Sequence, residues 1–387
     1  MPATPPRIYL DNAATSWPKP ESVYEAVDRY QRENGSPFGR GNHDSGDDVQ
    51  RLVTGCRQRV AKLLGVGNPQ RVIFTFNATD SLNMAIHGLL KPGDHVVTTV
   101  LEHNSVTRPL NHREQHCGLE VTRIEPDDNG IISVDAIKAA CQKNTRLISV
   151  IHASNVTGTI QPIQSIGEFA RERKIPLLVD AAQTAGAIPI DFDSLPIDML
   201  ACAGHKGLLG PLGTGVLCLS PEILDILQPV RQGGTGTQSE IASQPDSLPA
   251  RFESGNHNVP GLVGLHAGVG YLLEHGVETV QRHEEEMTNQ LVTGLNPVTG
   301  VQVRVPDTAH LGVVSVTSDL YDPQTLATLL SQEFGIETRA GLHCAPGVHE
   351  WLGTKSTGGT VRLSVGPFVT ADQITETVNG FQAIHQL

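Results

Sequence analysis

Lys206 lies in Gly204-His205-Lys206-Gly207, directly after an apolar run, and Asp180 closes an earlier apolar run. A lysine amine forms a Schiff base with an aldehyde. A carboxylate beside a ring nitrogen keeps that nitrogen protonated. Together they make the pair that pyridoxal phosphate needs to act as an electron sink. Gln183, three residues after Asp180, can donate to the phenolic oxygen of such a ring. An isolated Asp or Lys is usually a turn cap or a surface charge. Lys206 instead sits among glycines after an apolar strand, not on a charged face.

Other residue types point the same way. Asn77-Ala78-Thr79 opens a helix after a β-rich run. Backbone N–H groups at a helix start, with a Thr hydroxyl, suit a phosphate. Asn77 or Thr79 serves equally as a plain N-cap, and both readings can hold. His205 offers a further phosphate contact. His103, in TTVLEHNSV, follows a strand and could stack on a ring and shuttle protons, or be a structural turn residue. Cys344, in ETRAGLHCAPGVHE, is flanked by Arg339, His343 and His349. Nearby cations favour the nucleophilic thiolate. An inert buried Cys fits this polar loop poorly, and Cys344 with His343 and His349 matches no familiar zinc spacing. Arg362 is a cation inside the apolar run TVRLSVG and needs a partner. That partner is either an amino-acid carboxylate held bidentately or an internal salt bridge.

These residues must be positioned by regular elements. Apolar, β-rich runs at 71–76, 95–100, 119–124, 146–151, 175–180, 198–202 and 215–219 alternate with helical stretches such as 47–64 and 81–90. Alternation of this kind predicts βαβ units and a largely parallel sheet, which binds ligands beyond the carboxyl ends of its strands. The polar clusters fall there, Asn155 after 146–151 among them. The expected fold is α/β. A large domain at 16–260 has a mostly parallel sheet flanked by helices. Residues 1–15 and 261–387 form a smaller α+β domain carrying the Cys344 loop. In it we expect a strand at 311–317, a helix at 323–334, a strand at 336–339, a loop at 341–358, a strand at 360–365 and a helix at 371–384. Two loops stand out: a Gly-rich one at 35–46 with Arg40, Asn42 and His43, and a Gly/Ser/Pro-rich one at 232–258. Long loops without a function or an interface are uncommon.

The net charge of −13 and the lack of a basic run argue against nucleic-acid binding. The N-terminus lacks the basic and apolar regions of a signal peptide, and no apolar stretch reaches a membrane span. The 6 cysteines are scattered without a CxxC pair. That reads as reduced thiols and a cytoplasmic location.

The order and spacing of these motifs carry a resemblance over nearly the whole chain. YLDNAAT (9–15), the His43 loop, NATDSLN (77–83), EHNS (102–105), SNVTGT (154–159), VDAAQ (179–183), GHKGLLGPLGTG (204–215), FESGNHN (252–258), RAGLHCAP (339–346) and VRLSVG (361–366) resemble the cysteine desulfurases of the class V aminotransferase superfamily. The resemblance implies pyridoxal phosphate fold type I, with the cofactor on Lys206, its nitrogen on Asp180 and its phenolic oxygen on Gln183. His103 stacks on the ring. Ala78, Thr79 and His205 hold the phosphate. Asn155 and Arg362 take the substrate carboxylate, with Arg339 and His43 lining the site. It further implies a homodimer in which Asn256 or His257 of FESGNHN completes the partner's phosphate site. L-cysteine is the implied substrate. Cys344 accepts its sulfur as a persulfide, alanine is released, and an acceptor protein takes the sulfur.

Three departures from the family pattern stand out. Ala203 replaces a Ser or Thr that contacts the phosphate. Asn256 replaces a Thr. The stretch APGVHEWLGTKSTGG after Cys344 resembles a different branch, whose substrate can differ. Two alternatives remain at this stage. One is another pyridoxal phosphate enzyme: a selenocysteine or cysteine-sulfinate lyase, a C–S lyase or an aminotransferase. The other is a non-catalytic sulfur-relay or binding protein.

Overall fold

The computed structural model describes residues 6–39, 43–236, 240 and 242–386. Arg40 and Asn42 of the first Gly-rich loop lie outside the described residues. In chain order the first part contains β1 (Ile8–Tyr9), α1 (Glu21–Glu33), α2 (Asp44–Leu63), β2 (Val72–Thr75), α3 (Ala78–Leu89), β3 (His95–Thr99) and α4 (Asn104–Cys117). It continues with β4 (Glu120–Ile124), α5 (Val134–Ala140), β5 (Thr145–Ile151), α6 (Ile163–Arg173), β6 (Leu177–Asp180), β7 (Met199–Ala203) and β8 (Gly215–Leu219).

Strands β2 to β8 form one sheet in the order β2-β8-β7-β6-β5-β3-β4. Pairing is parallel from β4 through β7, and only β8 runs against its neighbours. The central strands read as unbroken apolar runs because both sheet faces are covered. Every residue of VIFT, LLVD, MLACA and GVLCL is buried. From β3 the chain steps outward to β4, then returns to place β5 on the other side of β3. A crevice opens at the carboxyl ends where strand order reverses in this way.

The second part contains α7 (Pro221–Leu224), α8 (Val259–His275), α9 (Val277–Leu295), β9 (Val301–Val303), β10 (Val313–Ser318), α10 (Pro323–Phe334), β11 (Ile336–Glu337), β12 (Arg339–Gly341), α11 (Pro346–Trp351), β13 (Thr360–Ser364) and α12 (Ala371–His385). An antiparallel sheet, β12-β13-β10-β9, packs with α10 and α12 around Leu291, Val314, Leu326, Leu363 and Phe381. The N-terminal strand β1 pairs in parallel with β11.

Three expectations need correction. A division at residue 261 puts α8 in the small domain, but α8 packs on α1 and α2, and Leu262, Leu265 and Leu272 belong to the large core. Helix α9 crosses between cores, with Val277 and Val280 in the large one and Met287, Leu291 and Leu295 in the small one. The segment 341–358 is not all loop, since it contains α11, whose Val348 is fully buried. The strand expected at 336–339 is two strands in two sheets, β11 and β12.

Candidate active site

A cavity of about 200 Å³ lies at the carboxyl ends of β5, β6 and β7, beside the turn after β3. It is closed by Arg339 and Arg362 from the second sheet and by Ala13 and Ala14 after β1. Lys206, Asp180, Gln183, His103, Ala78, Thr79, His205, Asn155, Arg339 and Arg362 all line it.

Lys206 is held by a tight turn in which Gly204 N–H donates to Thr214 O (2.9 Å) and Leu209 N–H to Lys206 O (2.8 Å). A Cβ at Gly204 would lie 2.2 Å from Thr214 Oγ1, so this position needs glycine. The segment after β1 clamps the same turn. The His205 carbonyl accepts from Thr15 Oγ1 (3.1 Å), Ser16 N–H (3.1 Å) and Lys19 Nζ (2.8 Å). Burial lowers the Lys206 amine to about 8. The Arg362 and Arg339 charges add to this, and Asp180 opposes it. Asp180 is buried and spends Oδ1 on the Ala182 N–H (2.9 Å). Its pKa is raised by burial, against the pull of that hydrogen bond and of Lys206. Gln183 Nε2 donates to Ala13 O (3.1 Å), which leaves one amide hydrogen free.

At the start of α3 the Asn77 side chain caps the helix by accepting from Asp80 N–H (2.9 Å), so the N-cap reading of Asn77 holds. Thr79 Oγ1 lies 2.7 Å from Ser105 Oγ. Ser105 Oγ in turn lies 2.8 Å from His103 Nδ1. Burial, with the charges of Lys206, Arg339, Arg362 and Arg108, lowers the His103 ring to about 4. Glu102 braces the turn carrying His103. Its Oε1 accepts from Ile151 N–H at the end of β5 (2.9 Å) and from Thr99 Oγ1 (2.8 Å). His205 is lowered to about 4 by burial, then by Lys206 and Lys19. Ala203 lines the cavity with no polar atom to offer.

Arg362 is fully buried and ion-paired, with Nη2 on Asp11 Oδ1 at 2.7 Å and Nη1 donating to Asn155 O at 3.1 Å. The internal salt bridge is therefore present, and Arg362 Nε is buried without a partner among the described residues. Asn155 Nδ2 spends one of its two hydrogens on His343 O (2.7 Å), which leaves the second as a donor, and its Oδ1 is buried without a partner among the described residues.

Cys344 does not line the cavity itself but stands behind Arg339, whose Nη2 is 3.4 Å from Sγ. His343 (φ 50°) and Cys344 (φ 59°) both hold left-handed backbone, at about 1–3 kcal/mol each for non-glycine residues. Asn104 N–H to Cys344 O (2.7 Å) and the Asn155 bond to His343 O keep them there. Of the cations expected around the thiol, only Arg339 serves. His343 is pushed down to about 2 by burial and by Arg362, and its Nε2 meets Thr360 Oγ1 (3.0 Å). His349 is pushed down to about 4 by burial, with Nδ1 on Thr354 Oγ1 (2.8 Å). Among the described residues no group of three or more His, Cys, Asp or Glu could hold a metal.

Three expected site residues lie elsewhere. The exposed His43 caps α2, its Nδ1 accepting from Gly46 N–H (3.1 Å). Asn256 and His257 border a separate hollow with Phe74, Phe76 and Arg231. His257 Nε2 sits 3.3 Å from Glu253, which is paired with Arg57 (2.7 Å). Sequence reasoning missed Asp11, Ser105 and the clamp at Thr15, Ser16 and Lys19. Asp11 and Thr15 lie inside the quoted motif YLDNAAT, so the charge of Asp11 was the one visible signal.

The cavity suits pyridoxal phosphate on its own terms. It brings a buried amine, a buried carboxylate and the N-terminus of α3 to one space, with His205 Nδ1 and Arg362 Nε buried and unpartnered among the described residues. These are the groups that an aldehyde, a ring nitrogen and a phosphate would meet.

A family model described as Aminotransferase class-V matches residues 8–376. A probable cysteine desulfurase of Methanothermobacter thermautotrophicus is 33% identical over 372 residues, covering 95% of this chain and 92% of that protein. A cysteine desulfurase of Haloferax volcanii is 32% identical, covering 99% and 91%. Among solved structures, the apo cysteine desulfurase of Thermococcus onnurineus NA1 superposes with a TM-score of 0.92 at 32% identity, covering 98% of this chain and 95% of that one.

Proposed function

The chain belongs to the class-V aminotransferase family, and on its cavity we propose that it is a pyridoxal phosphate-dependent cysteine desulfurase. It converts L-cysteine to L-alanine and leaves the sulfur on Cys344 as a persulfide. The observation that carries this reading is that Lys206, Asp180 and Arg339 line one cavity and that Arg339 Nη2 reaches the Cys344 Sγ just behind it (3.4 Å). Lys206 carries the cofactor and moves the substrate's α-proton at Nζ. Asp180, with one oxygen uncommitted, holds the ring nitrogen, and Gln183 donates to the phenolic oxygen. His103 lies along the ring. Ala78 and Thr79 at the start of α3, with His205, hold the phosphate. Arg339 and the free Nε of Arg362 receive the substrate carboxylate. When bound, the cofactor takes up the electron pair left on the substrate carbon.

The Cys344 thiolate attacks the substrate sulfur. An S–S bond forms as the C–S bond breaks, and its electron pair leaves with the carbon that becomes the alanine methyl. The persulfide then passes to a sulfur-acceptor protein. The chain acts as a homodimer, a reading supported by Asn256 and His257, which line a hollow apart from their own cavity and suit the partner's phosphate site. Exposed Phe76, which lines that hollow (46% exposed), supports this. All 6 cysteines are free, which supports a cytoplasmic location.

Cys344→Ser is the test. Alanine formation from cysteine should be lost while the visible absorbance of the lysine-bound cofactor stays. Alanine release surviving this change would sink the persulfide mechanism, and pyruvate in place of alanine would indicate β-elimination.

A further inference from the structure

Ser105 has no assigned part in the reading above, yet it touches two residues that do. Its backbone N–H donates to His103 Nδ1 (3.1 Å), and its hydroxyl lies 2.8 Å from the same nitrogen and 2.7 Å from Thr79 Oγ1. All three residues line the cavity, and Ser105 is 7% exposed.

The directions of these hydrogen bonds follow from what each atom can do. A backbone N–H can only donate, so His103 Nδ1 must be the acceptor. A neutral imidazole has one donor and one acceptor nitrogen, so the hydrogen sits on Nε2. The Ser105 hydroxyl therefore also donates to Nδ1, and its own oxygen is left to accept from Thr79. The chain runs one way, Thr79 to Ser105 to His103. It leaves the backbone N–H groups of α3, rather than the Thr79 hydroxyl, as the donors to a phosphate.

The surroundings oppose a second proton on this ring. Nδ1 faces the first turn of α4, where the helix dipole is positive. Lys206 after β7, Arg339 on β12, Arg362 on β13 and Arg108 on α4 act on the ring, all of them cations. A neutral imidazole held this way by a helix N-terminus polarises a ligand by donating from its other nitrogen.

We propose that Ser105 is a positioning residue that fixes His103 as its Nε2–H tautomer, so that His103 presents a hydrogen-bond donor, not a base, to the ligand in the cavity. The part concerning the ligand rests on the proposed function. The tautomer itself does not.

The experiment is 15N NMR of histidine-labelled protein, with and without added pyridoxal phosphate. His103 is picked out among the 16 histidines by difference from His103→Gln. The wild type should show a bare Nδ1 and a protonated Nε2 from pH 6 to 9. Ser105→Ala should move the Nδ1 signal toward that of an unbonded ring nitrogen and raise the pH at which the ring takes a second proton. Ser105→Thr, which keeps the hydroxyl, should restore both. A proton on Nδ1 in the wild type would overturn the proposal. So would Nδ1 signals that are the same in the wild type and Ser105→Ala. Failure of the cofactor reading is separate: no visible absorbance would develop with pyridoxal phosphate, while the tautomer would be unaltered.

Discussion

Burial of Lys206 sets a pH threshold for taking up the cofactor. An amine attacks an aldehyde only when unprotonated. An ordinary lysine near 10.5 has about one amine in 3,000 free at pH 7. At about 8, Lys206 has about one in ten free, a gain of about 300-fold. The perturbation is pH itself, applied to cofactor-free protein mixed with excess pyridoxal phosphate. Stopped-flow absorbance follows capture across pH 6 to 10. The initial rate should rise about fivefold from pH 7 to 8, less than twofold from 8 to 9, and then stay level. A logarithmic rise that continues unbroken to pH 10 would refute the reasoning, because it would mean an ordinary lysine. The sign of the linked stability follows from the same shift. The folded-state value lies below the unfolded one, so the unfolded chain binds more protons between about 8 and 10.5. The Lys206 contribution to the stability of the cofactor-free protein therefore rises with pH across that window, against the buried thiols Cys56, Cys202 and Cys218, whose values burial raises and whose contribution falls there; the difference between the wild type and Lys206→Met isolates it. Lys206 alone contributes about 3 kcal/mol there. Arg339→Gln removes one of the charges that depress the amine, so it should move the break in the capture profile upward.

Two further outcomes follow from single residues. Ala203→Ser returns a hydroxyl to the cavity wall and should tighten cofactor binding about three- to tenfold, the worth of one net hydrogen bond, as measured by equilibrium titration. Glu253→Ala strands the buried Arg57, which also donates to the Val72 carbonyl, and leaves Phe74 N–H without its acceptor. Urea unfolding should show a loss of about 3–5 kcal/mol, and Arg57→Met with Glu253→Leu should recover the part due to the stranded charge but not the part due to Phe74 N–H.

Much of the fold was legible because its strands are buried on both faces. Runs such as LLVD and MLACA have no polar face to blur their limits, and the observed strands fall within a residue or two of the expected ones. Local pattern failed where packing between distant segments decides. Helix α8 is apolar nearly all round, so nothing in its own sequence says which core it joins. It joins the large one because α1 and α2 offer it a surface. The segment after Cys344 is rich in Gly and Pro and reads as a loop. Yet Pro346 starts a helix, as proline does in a first turn, and Val348 and His349 are fully buried there.

The site divides along a similar line. Lys206, Asp180 and the start of α3 were readable because each closes or follows a strand, and strand ends in a parallel sheet share one crevice. What was not readable is which donors are already spent. Arg362 plainly required a partner, but the sequence allowed a substrate or a side chain. The structure supplies Asp11, from a segment about 350 residues away, whose carboxylate meets Nη2 at 2.7 Å. Asn155 has spent one of its two amide hydrogens on His343 O. The consequence is electrostatic. Lys206, Arg339 and Arg362 bring three cations to a space where Asp11 and Asp180 supply two carboxylates. The surroundings of the cavity thus carry an excess of positive charge, with Arg362 Nε unpartnered among the described residues. Asp11 steadies Arg362 without cancelling that excess. A ligand that brings a phosphate and a carboxylate would meet an excess of cations there, and because both arms of Arg362 are engaged by Asp11 and Asn155 O, the guanidinium donors we propose for its carboxylate are Arg339 and Arg362 Nε.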